Sequence, residues 1–255
     1  YSYLNAYPRV SNSLILNNDA GSGGGGAISC EYGGSIIISD VLINNNSAYL
    51  GGGINIHEAN SIVIINNVLI NDNIATIGNG GGIRCSSSEL ELENVTIVDN
   101  IAAQSGSAVY IRQYSTNSIV HITNSIIFNN AISQNNNNND IYITYSNIEG
   151  GYSGNGNIDQ DPLFTDTVMD DFTLQSNSPC IDSGDPSVQY NDPDGTRNDM
   201  GALYYEQSSP ANSACSELFF SEYIEGDGQN KAIEIYNPTN ATVDLSNYQI
   251  ERYSN

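Results

Sequence analysis

The sequence predicts an all-β chain whose main part is a right-handed parallel β-helix built from coils of about 27 residues. Two spaced markers and one alternation predict it. A glycine-rich start recurs as Gly25-Gly26-Ala27-Ile28, Gly51-Gly52-Gly53-Ile54, Gly80-Gly81-Gly82-Ile83 and Gly106-Ser107-Ala108-Val109, so that its fourth position advances by 26, 29 and 26 residues. A second marker keeps the same beat: Ile15-x-x-Asn18, Ile43-x-x-Asn46, Ile70-x-x-Asn73, Ile97-x-x-Asn100 and Ile126-x-x-Asn129, with Ala20, Ala48, Ala75, Ala102 and Ala131 each two residues later. A fixed period of this length is the mark of stacked supersecondary units.

The alternation comes third. Ile36, Ile38, then Leu42; Val63, Ile65, then Leu69; Leu90, Leu92, then Thr96 recur with a period of two, which places them on one face of short strands. Strands separated by Gly, Asn and Ser turns fit three to a coil, and coils stack by parallel pairing about 4.8 Å apart, so like residues form ladders. The expected inner rungs are Ile28/Cys30, Ile54/Ile56, Ile83/Cys85 and Val109/Ile111. Asn12, Asp40, Asn67, Asn94 and Asn124 are expected to form an asparagine ladder at a turn.

Cys30 and Cys85 lie two coils apart, about 9.6 Å by the strand spacing, which is beyond disulfide reach and predicts buried thiols. Cys180 and Cys215 fall outside the regular coils; their pairing is left open by spacing alone. No zinc-type Cys/His cluster occurs.

The regular coils are expected over 1–158. Residues 159–206 hold eleven of the 29 acidic residues and are broken by Pro162, Pro179, Pro186 and Pro193. They read as an irregular acidic cap over the open end of the stack. Residues 207–215 (QSSPANSAC) read as a linker, and 216–255 as the start of a second β domain, with new alternation in Ala232-Ile233-Glu234-Ile235-Tyr236.

Composition bounds the partners. The net charge is −23, with 6 basic residues, so a polyanionic duplex is repelled and nucleic acid is excluded as a direct partner. No apolar run approaches the ~20 residues that span a bilayer. The chain begins at Tyr1 without Met, shows no signal segment, and its last residues stop inside the second β domain, so it reads as a fragment.

The coils resemble those of bacterial right-handed β-helix surface proteins, including the GGAI and FxxN repeats of chlamydial polymorphic membrane proteins, with Ile usually in place of Phe. Asn157-Ile158-Asp159-Gln160-Asp161-Pro162-Leu163-Phe164, Ser178-Pro179-Cys180-Ile181-Asp182-Ser183-Gly184-Asp185-Pro186 and Asp192-Pro193-Asp194-Gly195-Thr196-Arg197-Asn198-Asp199-Met200-Gly201-Ala202 resemble the closing segment of secreted bacterial β-helix repeat proteins. Glu217-Leu218-Phe219-Phe220-Ser221-Glu222-Tyr223-Ile224-Glu225-Gly226, with Asn230-Lys231-Ala232-Ile233-Glu234-Ile235-Tyr236-Asn237, is similar to the start of bacterial lamin-tail domains, which are immunoglobulin-like sandwiches. These resemblances imply an exported bacterial protein, extracellular or attached to the cell surface.

The same helix carries pectin-lyase-like enzymes, so catalysis is weighed. The NTD, GHG and RIK segments of polygalacturonase-like sites do not occur, and no Asp or Glu pair on adjacent regular coils is forced into the ~5–9.5 Å separation of glycosidase carboxylates. Binding is favoured. Residues between the inner rungs point outward: Ser29 and Glu31, Asn55 and His57, Arg84 and Ser86, Tyr110 and Arg112. His57, Arg84, Tyr110 and Arg112 are the candidate site for an extracellular polysaccharide or cell-surface glycan, rings stacking on tyrosine and hydroxyls bonding to the cations. An ordinary solvated sheet face is the plain alternative. Asp192, Asp194 and Asp199 crowd one glycine-containing loop and supply hard oxygen donors for a structural calcium, although the spacing is not that of an EF-hand. Three functions stay open: an adhesive glycan-binding module, a carbohydrate-active enzyme, and a passive stalk.

Overall fold

The computed structural model describes residues 8–58, 62–136, 138–207, 219–225 and 231–236. The chain divides into two compact units, Tyr1–Glu206 and Gln207–Asn255.

The first unit is a parallel β-solenoid with three sheets. One sheet stacks the strands that open each repeat, Ile28–Glu31, Ile54–His57, Ile83–Ser86, Val109–Arg112 and Ile132–Gln134. An eight-stranded sheet carries the long strands Arg9–Leu16, Ile36–Asn44, Ile62–Asn71 and Glu89–Val98, then Ile119–Thr123 with Ile126–Phe128 and Asp140–Thr144 with Asn147–Ile148. The third sheet is narrow: Ser47–Ala48, Ile74–Ala75 and Ile101–Ala102. All pairings between coils are parallel and in register with the period, for example Cys30 with Ile56 and Ile56 with Cys85.

The core is the stack of inward rungs. Cys30, Ile54, Ile56, Ile83, Cys85, Val109 and Ile111 are all fully buried, and Ile28 nearly so. Each large apolar side chain contributes roughly 1.5–3 kcal/mol by leaving water. Cys30 and Cys85 are buried free thiols, as the coil spacing requires.

One part of the alternation differs from expectation. Ile36 and Ile38 point inward, but the next inward residues are Val41 and Ile43, not Leu42. The cause is a corner inside each long strand. Asn12, Asp40, Asn67, Asn94 and Asn124 all adopt left-handed backbone, with φ between 48° and 58°, and this residue resets the side-chain parity. Leu14, Leu42, Leu69 and Thr96 therefore form an outward ladder.

The asparagine ladder also sits elsewhere. At the corner, Asn67 Nδ2 donates to Asp40 Oδ1 at 3.2 Å on an exposed edge. The buried ladder is made by the asparagine of the second marker. The backbone N–H and side-chain amide of Asn46 both donate to Asn73 Oδ1, those of Asn73 to Asn100 Oδ1, and those of Asn100 to Asn130 Oδ1. In the last of these the residue is Asn130 rather than Asn129, because this coil is longer than the two before it and Ile127, not Ile126, pairs with Ile97.

The acidic segment lies along the flank of the stack rather than across its end. Phe164, Phe172, Leu174, Cys180 and Met200 pack with Val98 and Ile126, and Leu69 and Phe128 lie against that cluster. The N–H of Gly201 donates to Asn124 O, that of Ala202 to Thr96 Oγ1, and that of Asp185 to Asn124 Oδ1. Of the outward ladder, Leu69 and Thr96 meet this segment, whereas Leu14 stays 70% exposed. Beside the last coil, Ile148 N–H donates to Ile158 O and Tyr145 N–H to Asn155 O, so residues 155–158 meet that free edge.

In the second unit, Phe219–Glu225 and Lys231–Tyr236 pair antiparallel, from Phe219 opposite Tyr236 to Glu225 opposite Lys231. Most of the expected linker, including Cys215, lies outside the described residues.

Candidate functional site

The four predicted site residues stand on the outer face of the five-stranded sheet. Arg84 is flanked in register by Asn55 and Tyr110, and Ser86 by His57 and Arg112. Parallel stacking thus places two arginines, a histidine and a tyrosine on three consecutive coils.

Two further residues join them. Tyr32 follows Glu31 at φ 52° and is 56% exposed, and its ring lies 5.9 Å from that of His57, edge to face. Tyr114 lies 5.7 Å from His57 on the other side, and the Arg112 guanidinium carbon is 5.2 Å from the Tyr114 ring centre. Tyr114 reaches this place because Ser87 Oγ accepts from the N–H groups of Tyr114, Ser115 and Thr116, at 3.0, 2.9 and 3.1 Å, while donating to Thr116 O. The loop after one coil is thereby pinned to the coil below. The sequence signal for both tyrosines was their position next to a strand end, which carries no pairing information by itself.

Arg84 corrects one expectation. It points outward, yet only 4% of it is exposed, because the neighbouring rungs of Asn55 and Tyr110 close over its stem. Its Nη1 donates to Asn55 Oδ1 at 2.9 Å. Burial, then the nearby Arg112, pulls its guanidinium below the ordinary arginine value. Glu31 is close but engaged, accepting from Ser29 Oγ and Asn55 Nδ2. His57 is also pulled down, first by burial and then by Arg84, so its imidazole is held neutral at pH 7. Among the described residues its Nδ1 is buried without a hydrogen-bond partner, and so is Oγ of the fully buried Ser86 beside it in register.

His121 is remote from this cluster, on the eight-stranded sheet, where it stacks on Tyr142 at 5.0 Å.

The acidic loop is brought together, and its oxygens are in use. Asp192 Oδ2 accepts from Asp199 N–H at 2.8 Å; Asp199 accepts from Asp182 and Tyr205 N–H, each at 2.7 Å; Asp194 accepts from Thr196 N–H and Oγ1. Burial and then Asp199 push the Asp192 carboxyl up to about 7. Among the described residues no three His, Cys, Asp or Glu side chains are grouped to hold a metal ion. Cys180 is a buried free thiol whose Sγ accepts from Asn147 Nδ2 at 3.2 Å.

A cleft of about 600 Å³ lies on a different face, between the corner residues Asp40, Asn67 and Asn94 and the flanking Tyr190, Asp192 and Tyr204. Asn94 there bonds Asn198 in both directions, at 3.3 and 3.2 Å, which ties this wall to the flank.

Residues 211–255 match the family model of the Lamin Tail Domain, an immunoglobulin-like fold. No curated protein and no solved structure matches the chain. No helix among the described residues is long and apolar enough to cross a membrane.

Proposed function

We propose that the solenoid is a non-catalytic binding module of an exported or cell-surface protein, and that it takes an extracellular polysaccharide on the outer face of its five-stranded sheet. The observation that carries this reading is the cluster of Tyr32, His57, Tyr114 and Arg112, assembled from separate coils and fixed by the Ser87 pin. Exposed tyrosines offer flat apolar faces to sugar rings, and the guanidinium and buried donors beside them bind oxygens. A shallow strip of this kind suits an extended polymer better than a small molecule.

Native electrophoresis through gels cast with different polysaccharides tests the reading. Retardation without clearing is expected in at least one gel, and its loss is expected in Tyr114→Ala/Arg112→Ala with the circular dichroism unaltered. Unchanged migration in every gel would leave the passive stalk as the better account, and clearing of a gel would make the protein an enzyme. A chelator lane tests the calcium expectation for Asp192, Asp194 and Asp199: loss of retardation there would tie the acidic loop to binding.

A further inference from the structure

Within the unit Tyr1–Glu206 the arginines are Arg9, Arg84, Arg112 and Arg197, set among a large excess of carboxylates. Arg197 is satisfied by backbone, donating to the carbonyls of Gly184 and Ser183. Arg84 is different. It is buried, it lies close enough to Arg112 for the two to repel, and among the described residues its one hydrogen bond goes to a neutral amide. A buried guanidinium without a carboxylate partner is a costly arrangement, and a second cation next to it makes it costlier. In a chain with so many acids, the absence of an ion pair to Arg84 among the described residues points to a partner from outside.

The neighbouring groups ask for the same partner. Among the described residues, Ser86 Oγ is wholly buried and has no hydrogen-bond partner, and it sits between His57 and Arg112 in the ladder, diagonal to Arg84. His57 Nδ1 is the next such atom among them. A serine hydroxyl, a neutral imidazole and guanidinium N–H groups can all donate, and an oxyanion is the ligand that accepts from all of them at once. Tyr32 and Tyr114, on either side of His57, give the ring that bears the oxyanion its stacking surfaces.

We infer that the glycan bound by this face is an acidic one, whose carboxylate or sulfate group is seated on Arg84 and Arg112 with Ser86 and His57 completing its hydrogen bonds. The inference rests on the glycan-binding reading and names its ligand class. Its specificity runs against the long-range field, since a net charge of −23 repels polyanions and only a local, shaped site would retain one.

Affinity electrophoresis with two matched pairs of polymers decides it. Polygalacturonate and its methyl ester share a backbone and differ in charge, and dextran sulfate and dextran do the same for sulfate. The anionic member of at least one pair should bind at least about tenfold more tightly than its neutral partner, and Arg112→Gln should remove that difference. Arg84→Gln should act in the same direction, with circular dichroism reporting its fold; Arg112, at the surface, remains the deciding variant. Equal retention by charged and neutral members overturns the acidic-ligand inference and leaves the glycan reading standing. Retention of an acidic polymer undiminished in Arg112→Gln and in a folded Arg84→Gln overturns the site. No retention by any polymer overturns both.

Discussion

Asn73 and Asn100 occupy the same position in successive coils, and Asn100 Oδ1 accepts from both the backbone N–H and the side-chain amide of Asn73, at 3.0 and 2.9 Å. Neither residue is more than 3% exposed. The Asn73 amide also donates to Ile43 O and Asn71 O, so one side chain serves three coils.

Replacing Asn73 with Ala would strand the N–H of Asn46 and the carbonyl of Ile43 in a dry interior, at about 1–3 kcal/mol for each buried unsatisfied group. The urea midpoint should fall accordingly. Asn67→Gly, at the exposed corner where φ is already 53°, should change the midpoint little. Equal losses at the two sites would contradict the assignment of the ladder to the second marker.

The glycine-rich start exists because coils touch there through backbone. A Cβ on Gly52 would come within 2.5 Å of Gly81 O and would clash with the backbone of Ile74. Gly52→Ala should destabilise by about 3 kcal/mol or more, since backbone atoms on the next coil cannot yield as a side chain can. Gly21, at φ 55° with open space around it, should accept Asn with little loss. Thermal unfolding of the two variants separates close approach from turn conformation.

The period, the inward rungs and the glycine starts could be read because burial repeats the same residue types on every coil. What could not be read depended on single backbone dihedrals or on contacts distant in sequence. Asp40 looked like a ladder rung, and only its left-handed backbone reveals that it turns the strand and sends Leu42 outward. The flank contacts join Thr96 to Ala202 and Asn124 to Asp185, pairs to which no periodicity applies. At the candidate site the register gave the row Asn55, Arg84, Tyr110, whereas Tyr114 arrives through the pin on Ser87, a link between loops that repeat patterns do not encode.

Cys30, Cys85 and Cys180 should resist alkylation in the folded protein. Burial pushes the Cys85 thiol up to about 12 and the Cys180 thiol up to about 11, and the thiolate is the reactive form. In Cys215→Ser, iodoacetamide at pH 8 should leave the native chain unlabelled and add three groups after denaturation, as counted by mass spectrometry. Labelling of Cys180 at a rate near that of a free thiol would contradict its packing against Phe172 and Met200.

Asp192 should make the protein less stable as pH rises. Its carboxyl is lifted to about 7 from 3.8, first by burial and then by Asp199, so between those values the folded state holds a proton that the unfolded state has released. Stability therefore falls as pH climbs through this window, levelling off above the folded value. Asp72, Glu93 and Asp199 are also raised, each first by burial, and slope the same way, so the measurement has to be differential. Asp192→Asn keeps an oxygen for the Asp199 N–H and removes the titration. The melting temperature of the wild type should drop more than that of Asp192→Asn between pH 5 and pH 8, and parallel curves would mean that the carboxylate is solvated and the loop around it loose.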